Sequence, residues 1–174
     1  MRNIMKNRLA LSTVVTTLII LVVSVLLAGV VTYFAINVTS TRVQEESLSV
    51  SNQHLWVSGT TGTALGAITV TNTGGRDLVI SKLTVRGQTS AWGNVYTNST
   101  ALASGGDISY TTASAQTGFT VATRDLVVPS GSTMGIVITA PDSITLNDIG
   151  LSVSFTIFTS QAMYYKETNI QAAA

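Results

Sequence analysis

The sequence predicts an α+β protein in which a long N-terminal hydrophobic α-helix is followed by an antiparallel β-sandwich of the immunoglobulin-like kind. Residues 9–41 contain no Asp, Glu, Lys, Arg or His, and a stretch of this length can cross a lipid bilayer. Beyond them, short runs alternate apolar and hydroxyl side chains with the period of two that half-buried strands require. Gly, Asn, Ser and Asp separate these runs, as turn residues do in a β domain.

The chain divides into three segments. Residues 1–10 form a basic leader, residues 11–57 form the predicted helix, and residues 58–174 form the predicted β-sandwich domain. The helix is uniformly apolar to about Ile36 and amphipathic beyond it, where Arg42 and Glu46 stand four residues apart and can pair.

The leader indicates how the chain is oriented. Its three cations, Arg2, Lys6 and Arg8, place the N-terminus in the cytoplasm and the bulk of the chain outside the membrane. A conventional removed secretory signal is disfavoured, because the apolar stretch is too long and no small-x-small site closes it.

One side of the predicted helix carries small residues. Ser24, Ala28 and Thr32 recur at every fourth position, and Gly29 adjoins them. Small side chains let two helices approach closely, so this stripe is a candidate for helix packing.

The strands are predicted from the alternating runs. They are residues 67–71, 78–85, 107–111, 119–122, 133–139, 151–159 and 163–170. The last two are predicted to form a hairpin through Ser160, Gln161 and Ala162. Residues 88–106 and 112–118 are rich in small polar residues and are predicted to be exposed loops.

The composition disfavours an enzyme. The sequence has one histidine, His54, and no cysteine, so the usual ligand set of a zinc site is missing and any catalytic triad would depend on His54. His54 and Trp56 are instead expected to pack where the helix meets the β domain. The Asp residues beyond residue 100 are spread over separate segments, so we expect no metal and no cofactor.

The charge balance disfavours nucleic acid as a partner. Formal net charge is +1, and removing the three leader cations from the nine basic residues leaves six against eight acidic ones, a balance of −2. Phosphate binding needs clustered Lys and Arg, which this sequence lacks.

Two sequons offer glycosylation candidates. Asn98 begins the sequence Asn-Ser-Thr in a predicted polar loop and is the better candidate, while Asn37 lies at the end of the apolar helix.

The segment after the leader carries a resemblance to a known family. Residues 7–20 read Asn-Arg-Leu-Ala-Leu-Ser-Thr-Val-Val-Thr-Thr-Leu-Ile-Ile. Together with the order of leader, apolar helix and β domain, they resemble the type IV pilin superfamily, specifically its archaeal branch. The resemblance implies a class III signal peptide that a prepilin peptidase cuts between Ala10 and Leu11, with Arg8 supplying the charge before the cut. Leu9 departs from the pattern, because a basic residue often directly precedes the small one. Bacterial pilins usually carry Glu at the fifth mature position, where this chain has Val15, and this difference agrees with the archaeal branch.

The resemblance implies a structural subunit of an archaeal type IV pilus, an extracellular helical filament for adhesion. Its expected partners are identical subunits in a helical homopolymer, the prepilin peptidase, an assembly ATPase with its membrane platform, and the membrane before assembly. An archaellin of the swimming filament fits the same N-terminal region. Outside the filament class, the alternative is a single-pass membrane-anchored protein that displays the β-sandwich as a binding module.

Overall fold

The structure is a computed structural model that describes residues 2–43, 45–99 and 106–173, and within the helix the side chains of residues 11–40. It divides into a helical unit that ends at Val43 and a β unit that follows it.

The helical unit is a single α-helix, α1, which spans Arg2–Val43. Its Val, Ile and Thr residues form helices only moderately well in water, but in an apolar surrounding a helix is favoured because it satisfies its own backbone polar groups. Leu11–Ser40 is long and apolar enough to cross a membrane. The predicted apolar helix is confirmed.

The predicted extent of this helix, residues 11–57, is wrong at its C-terminal end. After Val43 the chain becomes extended, and Leu48–Ser58 forms strand β1. Leu48 and Val50 alternate with serines that are weak helix formers, and β1 gains hydrogen-bonded neighbours on both sides. Glu46 therefore has no helical spacing from Arg42, whose side chain lies outside the described residues.

The β unit contains ten strands within the described residues, together with one short helix and two 3₁₀ turns. The strands are β1 Leu48–Ser58, β2 Ala64–Asn72, β3 Leu78–Val85, β4 Gln88–Thr89, β5 Val95–Asn98, β6 Thr120–Val121, β7 Leu126–Val128, β8 Thr133–Thr139, β9 Ser152–Thr159 and β10 Met163–Ala173. The helix α2 spans Tyr110–Ala115, and the 3₁₀ turns span Trp92–Asn94 and Leu146–Asp148.

The sheet is mixed, which corrects the predicted antiparallel sandwich. Strands follow the order β4-β3-β9-β10-β1-β2-β8-β5-β6, and β7 pairs with β3. Every described pair is antiparallel except β1 with β10, which run parallel from Leu55 opposite Ile170 to Ser58 opposite Ala173. The reason is the length of β10, which pairs with β9 over its first part and reaches β1 with its last residues. The predicted hairpin of β9 and β10 is confirmed, with Phe158 opposite Met163.

Most buried apolar side chains of the β unit form one core that both ends of the sheet share. Leu55 and Ile68 come from β1 and β2, whereas Ile80 and Phe155 come from β3 and β9. Gly66 allows this approach, because a Cβ at that position would lie 2.9 Å from the ring of Phe155. The sheet thus curves over its own apolar face.

A second, smaller core lies on the opposite face of the sheet. Trp56, Ala67 and Val137 from three adjacent strands are buried there under Ile108 and Ala113. β1, β2 and β8 are therefore buried on both faces at this point, which accounts for the nearly continuous burial of β2.

The segment that covers the second core was predicted to be a strand over residues 107–111 and a loop over 112–118. It forms helix α2 instead. The Ser109 hydroxyl accepts a hydrogen bond from the Thr112 N–H and so caps the helix, while Ala113 turns into the core. Residues 88–106, also predicted to be a loop, contain β4, the turn at Trp92–Asn94 and β5 in their described part.

Candidate functional site

The exposed apolar surface of α1 is the first candidate functional site. Every side chain from Leu11 to Ser40 is exposed, including Val30 at 68% and Phe34 at 70%. Burying one large apolar side chain is worth about 1.5–3 kcal/mol, so covering this helix yields on the order of tens of kcal/mol of gross free energy. A surface of this kind requires lipid or other apolar helices around it.

The predicted packing stripe lies on one face of this helix. The Ser24 hydroxyl donates to the Ile20 carbonyl at 2.7 Å, and the Thr32 hydroxyl donates to the Ala28 carbonyl at 2.7 Å. Because both hydroxyls are satisfied within the helix, they add little desolvation cost when the stripe is covered. Gly29 is open, with no heavy atom within 4 Å of the position that a Cβ would take. The side chains of the stripe are therefore small and exposed, and both of these hydroxyls are hydrogen-bonded within the helix.

The predicted cleavage position falls inside the backbone of α1. Leu11 is exposed, whereas the side chain of Ala10 lies outside the described residues. The cleavage between Ala10 and Leu11 therefore stays a prediction.

The first residues of the β unit are fixed by two neighbouring turns, and we call this arrangement the clasp. On one side, the N–H groups of Thr73 and Gly74 donate to the Ser47 carbonyl at 2.9 and 3.1 Å. On the other side, the Glu46 carboxylate accepts a hydrogen bond from the Thr159 hydroxyl, and the Tyr164 hydroxyl donates to the Glu46 carbonyl at 3.4 Å. The clasp holds residues 45–47 firmly against the β unit.

Burial raises the pKa of Tyr164, whose hydroxyl donates to the clasp. Glu46, which was predicted to pair along a helix, instead belongs to the clasp.

His54 and Trp56 lie within the β unit in contact with the segment that leads into α2. The two rings stack at 5.0 Å with 12° between their planes, and Trp56 meets the ring of Tyr110 edge-on at 5.8 Å. His54 Nε2 lies 2.8 Å from Asp107 Oδ1. The prediction that these residues pack where the helix meets the β domain is wrong, because the helix ends at Val43 and both residues lie in β1. Their partners were missed because Asp107 and Tyr110 were assigned to a strand.

One of the two sequons is placed differently from the prediction. Asn98 is not in a loop: it ends β5 opposite Gly135, and it is only 6% exposed. Its Nδ2 would lie 3.4 Å from a Cβ at Gly118, so little room remains for a glycan. Asn37 is exposed on α1.

The carboxylates do not gather into a metal site. Among the described residues, no three His, Asp or Glu side chains come close enough to hold one ion. Asp148 instead accepts hydrogen bonds from the Thr145 hydroxyl and N–H, each at 2.8 Å, and from Arg86 at 2.9 Å. These contacts, led by the Thr145 hydroxyl, lower the pKa of Asp148.

A depression with both hydroxyl-bearing and apolar walls lies at the end of the β unit opposite the clasp, and we call it the distal groove. It has a volume of about 260 Å³ and is lined by Ser58, Thr61, Thr63, Tyr110, Ser114 and Gln116, among others. Sequence reasoning missed it because its walls come from the β1–β2 turn and from α2, which are far apart in the chain.

Comparison with known proteins places the chain in no family. No known protein-family model matches it, and no curated protein matches its sequence. Among solved structures it is similar to the apo PmoF2 PCuAC domain, with a TM-score of 0.46 and 12% identity over 74% of this chain and 95% of that one.

Two further solved structures are similar at the same level. The copper-bound PCuAC domain from PmoF2 gives a TM-score of 0.38 and 12% identity, covering 74% of this chain and 99% of that one. The ligand binding region of serine-glutamate repeat protein A (SgrA) of Enterococcus faecium gives 0.35 and 14%, covering 75% and 98%. At these scores the similarities assign neither family nor function.

Proposed function

We propose that this chain is a structural subunit of an archaeal type IV pilus, an extracellular helical filament for adhesion. In this proposal the leader is cut between Ala10 and Leu11, α1 leaves the membrane, and identical helices cover the apolar surface that lipid covered before. An assembly ATPase and its membrane platform supply the work of extraction. The β unit, which we propose to be a variant of the immunoglobulin-like sandwich, then forms the exterior of the filament.

Two observations together carry the proposal: the described side chains of α1 are exposed, and the β unit has a core of its own. None of the described side chains of Leu11–Ser40 is buried, whereas the β unit buries most of its apolar side chains in its own cores. Because the β unit has a core of its own, α1 is available to pack against other helices in a filament core. The small-residue stripe, with its internally bonded hydroxyls, supports close contact there.

The test begins with processing and filament formation in cells that contain a prepilin peptidase. Sheared surface filaments are examined by electron microscopy, and the mass of the subunit is measured. We expect filaments whose subunit begins at Leu11, and loss of both processing and filaments in the Arg8→Glu variant. Arg2→Glu is the matched control, since it makes the same charge change farther from the cut and should be processed normally. A surface-exposed chain that still begins at Met1 would exclude the filament proposal.

Two alternatives share parts of the same support. An archaellin has the same N-terminal architecture, and a deletion strain that loses swimming but keeps attachment would favour it. A single-pass membrane-anchored binding protein is favoured by one specific observation, since α1 is helical from Arg2 onward and is long enough to span a bilayer uncut. Retention of the leader in the mature chain distinguishes this alternative from both filament subunits.

A further inference from the structure

The distal groove combines features of a built binding site. Ser58, Thr61 and Thr63 line it from the turn after β1, and Tyr110, Ser114 and Gln116 line it from α2. A second depression of about 250 Å³ adjoins it, shares Thr61 and Thr63, and adds the carboxylate of Asp142. Ligand pockets commonly measure about 300–1,000 Å³, so each depression has room for a small unit rather than a long chain.

The hydrogen-bonding groups of the groove are uncharged and versatile. Hydroxyl groups and amides both donate and accept, and none of the described residues that line the groove is Lys, Arg, Asp or Glu. Within the described residues, neither the Tyr110 hydroxyl nor the Gln116 amide has a hydrogen-bond partner. Buried Leu65 adds an apolar floor. The groove therefore matches a ligand that carries many hydroxyls and an apolar face, and it offers nothing specific to a phosphate or an acidic peptide.

The aromatic wall of the groove is held rigidly. Tyr110 rests edge-on against Trp56, which is 7% exposed and stacks in turn on His54. His54 also lies within 2.8 Å of Asp107, which ties the segment before α2 to the sheet. A preorganised aromatic ring loses little conformational freedom when a ligand binds.

The backbone around the groove has a positive φ at two non-glycine residues. Gln116 has φ 51° and Ala140 has φ 45°, and both line the groove. They are two of the four described non-glycine residues with positive φ. At Gln116 this is the left-handed C-cap that commonly ends a helix, and at Ala140 it is a conformation that residues with a Cβ rarely adopt.

We infer that the distal groove binds a neutral saccharide, with Tyr110, Gln116 and the turn hydroxyls as its polar contacts. A sugar ring presents hydroxyls that need both donors and acceptors, together with a C–H face that suits Leu65 and the tyrosine ring. Asp142 in the adjoining depression can accept hydrogen bonds from the hydroxyls of a second sugar unit. The inference holds for a filament subunit and for a membrane-anchored chain alike.

The experiment measures binding to the full-length chain in micelles of lauryldimethylamine oxide, a detergent that has no sugar head group. The probes are neutral hexoses and N-acetylhexosamines, followed by their disaccharides, and binding is read by saturation-transfer NMR and titration. We expect at least one neutral sugar to bind, and we expect Tyr110→Phe to weaken it about 3- to 10-fold, as the loss of one hydrogen bond does. This variant keeps the ring and its contact with Trp56, so its Tm should match that of the unsubstituted chain.

Tyr165→Phe provides the matched control. It removes the same hydroxyl from a tyrosine on β10 that is 57% exposed and does not line the groove. Equal weakening by both variants, or no binding of any of these neutral sugars, would overturn the inference. Because the assay needs neither cleavage nor assembly, its failure leaves the filament proposal intact, and failure to form filaments leaves this inference intact.

Discussion

Replacing Gly74 by Ala should destabilise the β unit through the clasp. A Cβ at residue 74 would lie 2.6 Å from the Glu45 carbonyl oxygen and 2.8 Å from the Ser47 nitrogen. Unstrained contacts between non-bonded heavy atoms lie near 3.5–4.0 Å, so these two contacts cannot be accommodated without movement. Both obstructing atoms belong to the backbone, and no side chain can rotate to relieve the clash.

The magnitude follows from two contributions. Overpacking costs about 1–3 kcal/mol, and moving residues 45–47 away weakens a hydrogen bond from Thr73 or Gly74 to the Ser47 carbonyl, which is worth about 0.5–1.5 kcal/mol. The expected loss is about 2–4 kcal/mol. For a domain of this size it lowers the Tm by about 4 °C per kcal/mol, or about 8–16 °C in all.

The assay is thermal unfolding of the full-length chain in micelles, followed by near-UV circular dichroism. Trp56 and Trp92, the two tryptophans of the chain, both belong to the β unit, so this signal reports its tertiary structure. Gly59→Ala is the control, because no atom lies within 4 Å of the Cβ that it would add. We expect the control to change the Tm by no more than about 2 °C, since surface substitutions usually alter stability by less than about 0.5 kcal/mol. Equal Tm values for the two variants would refute the reasoning about the clasp.

Three further predictions concern the rest of the chain. The folded-state contacts of Asp148 lower its pKa from the usual 3.8, so they stabilise the fold above that pH and are lost as pH falls through the lowered pKa. The Tm difference between the unsubstituted chain and Asp148→Asn should therefore be largest near neutral pH and vanish in acid. Ala28→Leu keeps α1 apolar but fills the packing stripe, so membrane insertion should persist while filaments fail to assemble, and Val30→Leu on another face should leave both intact. Asn98 is buried, so mass analysis of its peptide should find no glycan.

Each of these outcomes has a clear opposite. A Tm difference for Asp148→Asn that stays constant from neutral to acid pH would show that its hydrogen bonds do not depend on its charge. Normal filaments from Ala28→Leu would remove the stripe from the assembly interface. A glycan on most copies of the Asn98 peptide would contradict the burial of that side chain.

The regular parts of the fold could be predicted from the sequence because their patterns are local. The predicted bounds of β3 and β8 agree with the structure, since each is a compact apolar run with turn residues on both sides. The apolar helix was equally clear, because no charge interrupts it.

The errors arose where tertiary contacts decide between alternatives. Residues 48–58 follow a helix and contain apolar residues at helical as well as strand spacing, so only the pairing of β1 with β2 and β10 settles their structure. The alternation of Leu48 and Val50 with serines was the available signal. At α2, Ile108 and Tyr110 mimic strand alternation, and the signal for a helix was the capping Ser109.

The distal groove could not be predicted at all. Its walls come from the β1–β2 turn, α2 and the end of β8, and each segment alone reads as an ordinary polar turn or loop. Only the sheet order brings them together, since β2 lies between β1 and β8 and carries α2 on its outer face. The mixed sheet was missed for the same reason, because the parallel pair depends on where the last residues of β10 lie.

The clasp and the path of β1 determine how the β unit responds to tension. A pulling force that enters through residues 45–47 acts along β1, whose far end is the turn beside the distal groove. The hydrogen bonds between β1 and β2 lie across this direction on both sides of an irregularity between Ser51 and His54, so such a force loads them in shear and does not peel them apart one by one. Many bonds that must break together resist a greater force than the same bonds broken in turn. The β unit should therefore resist a pull along β1 better than a pull that peels β1 away from β2.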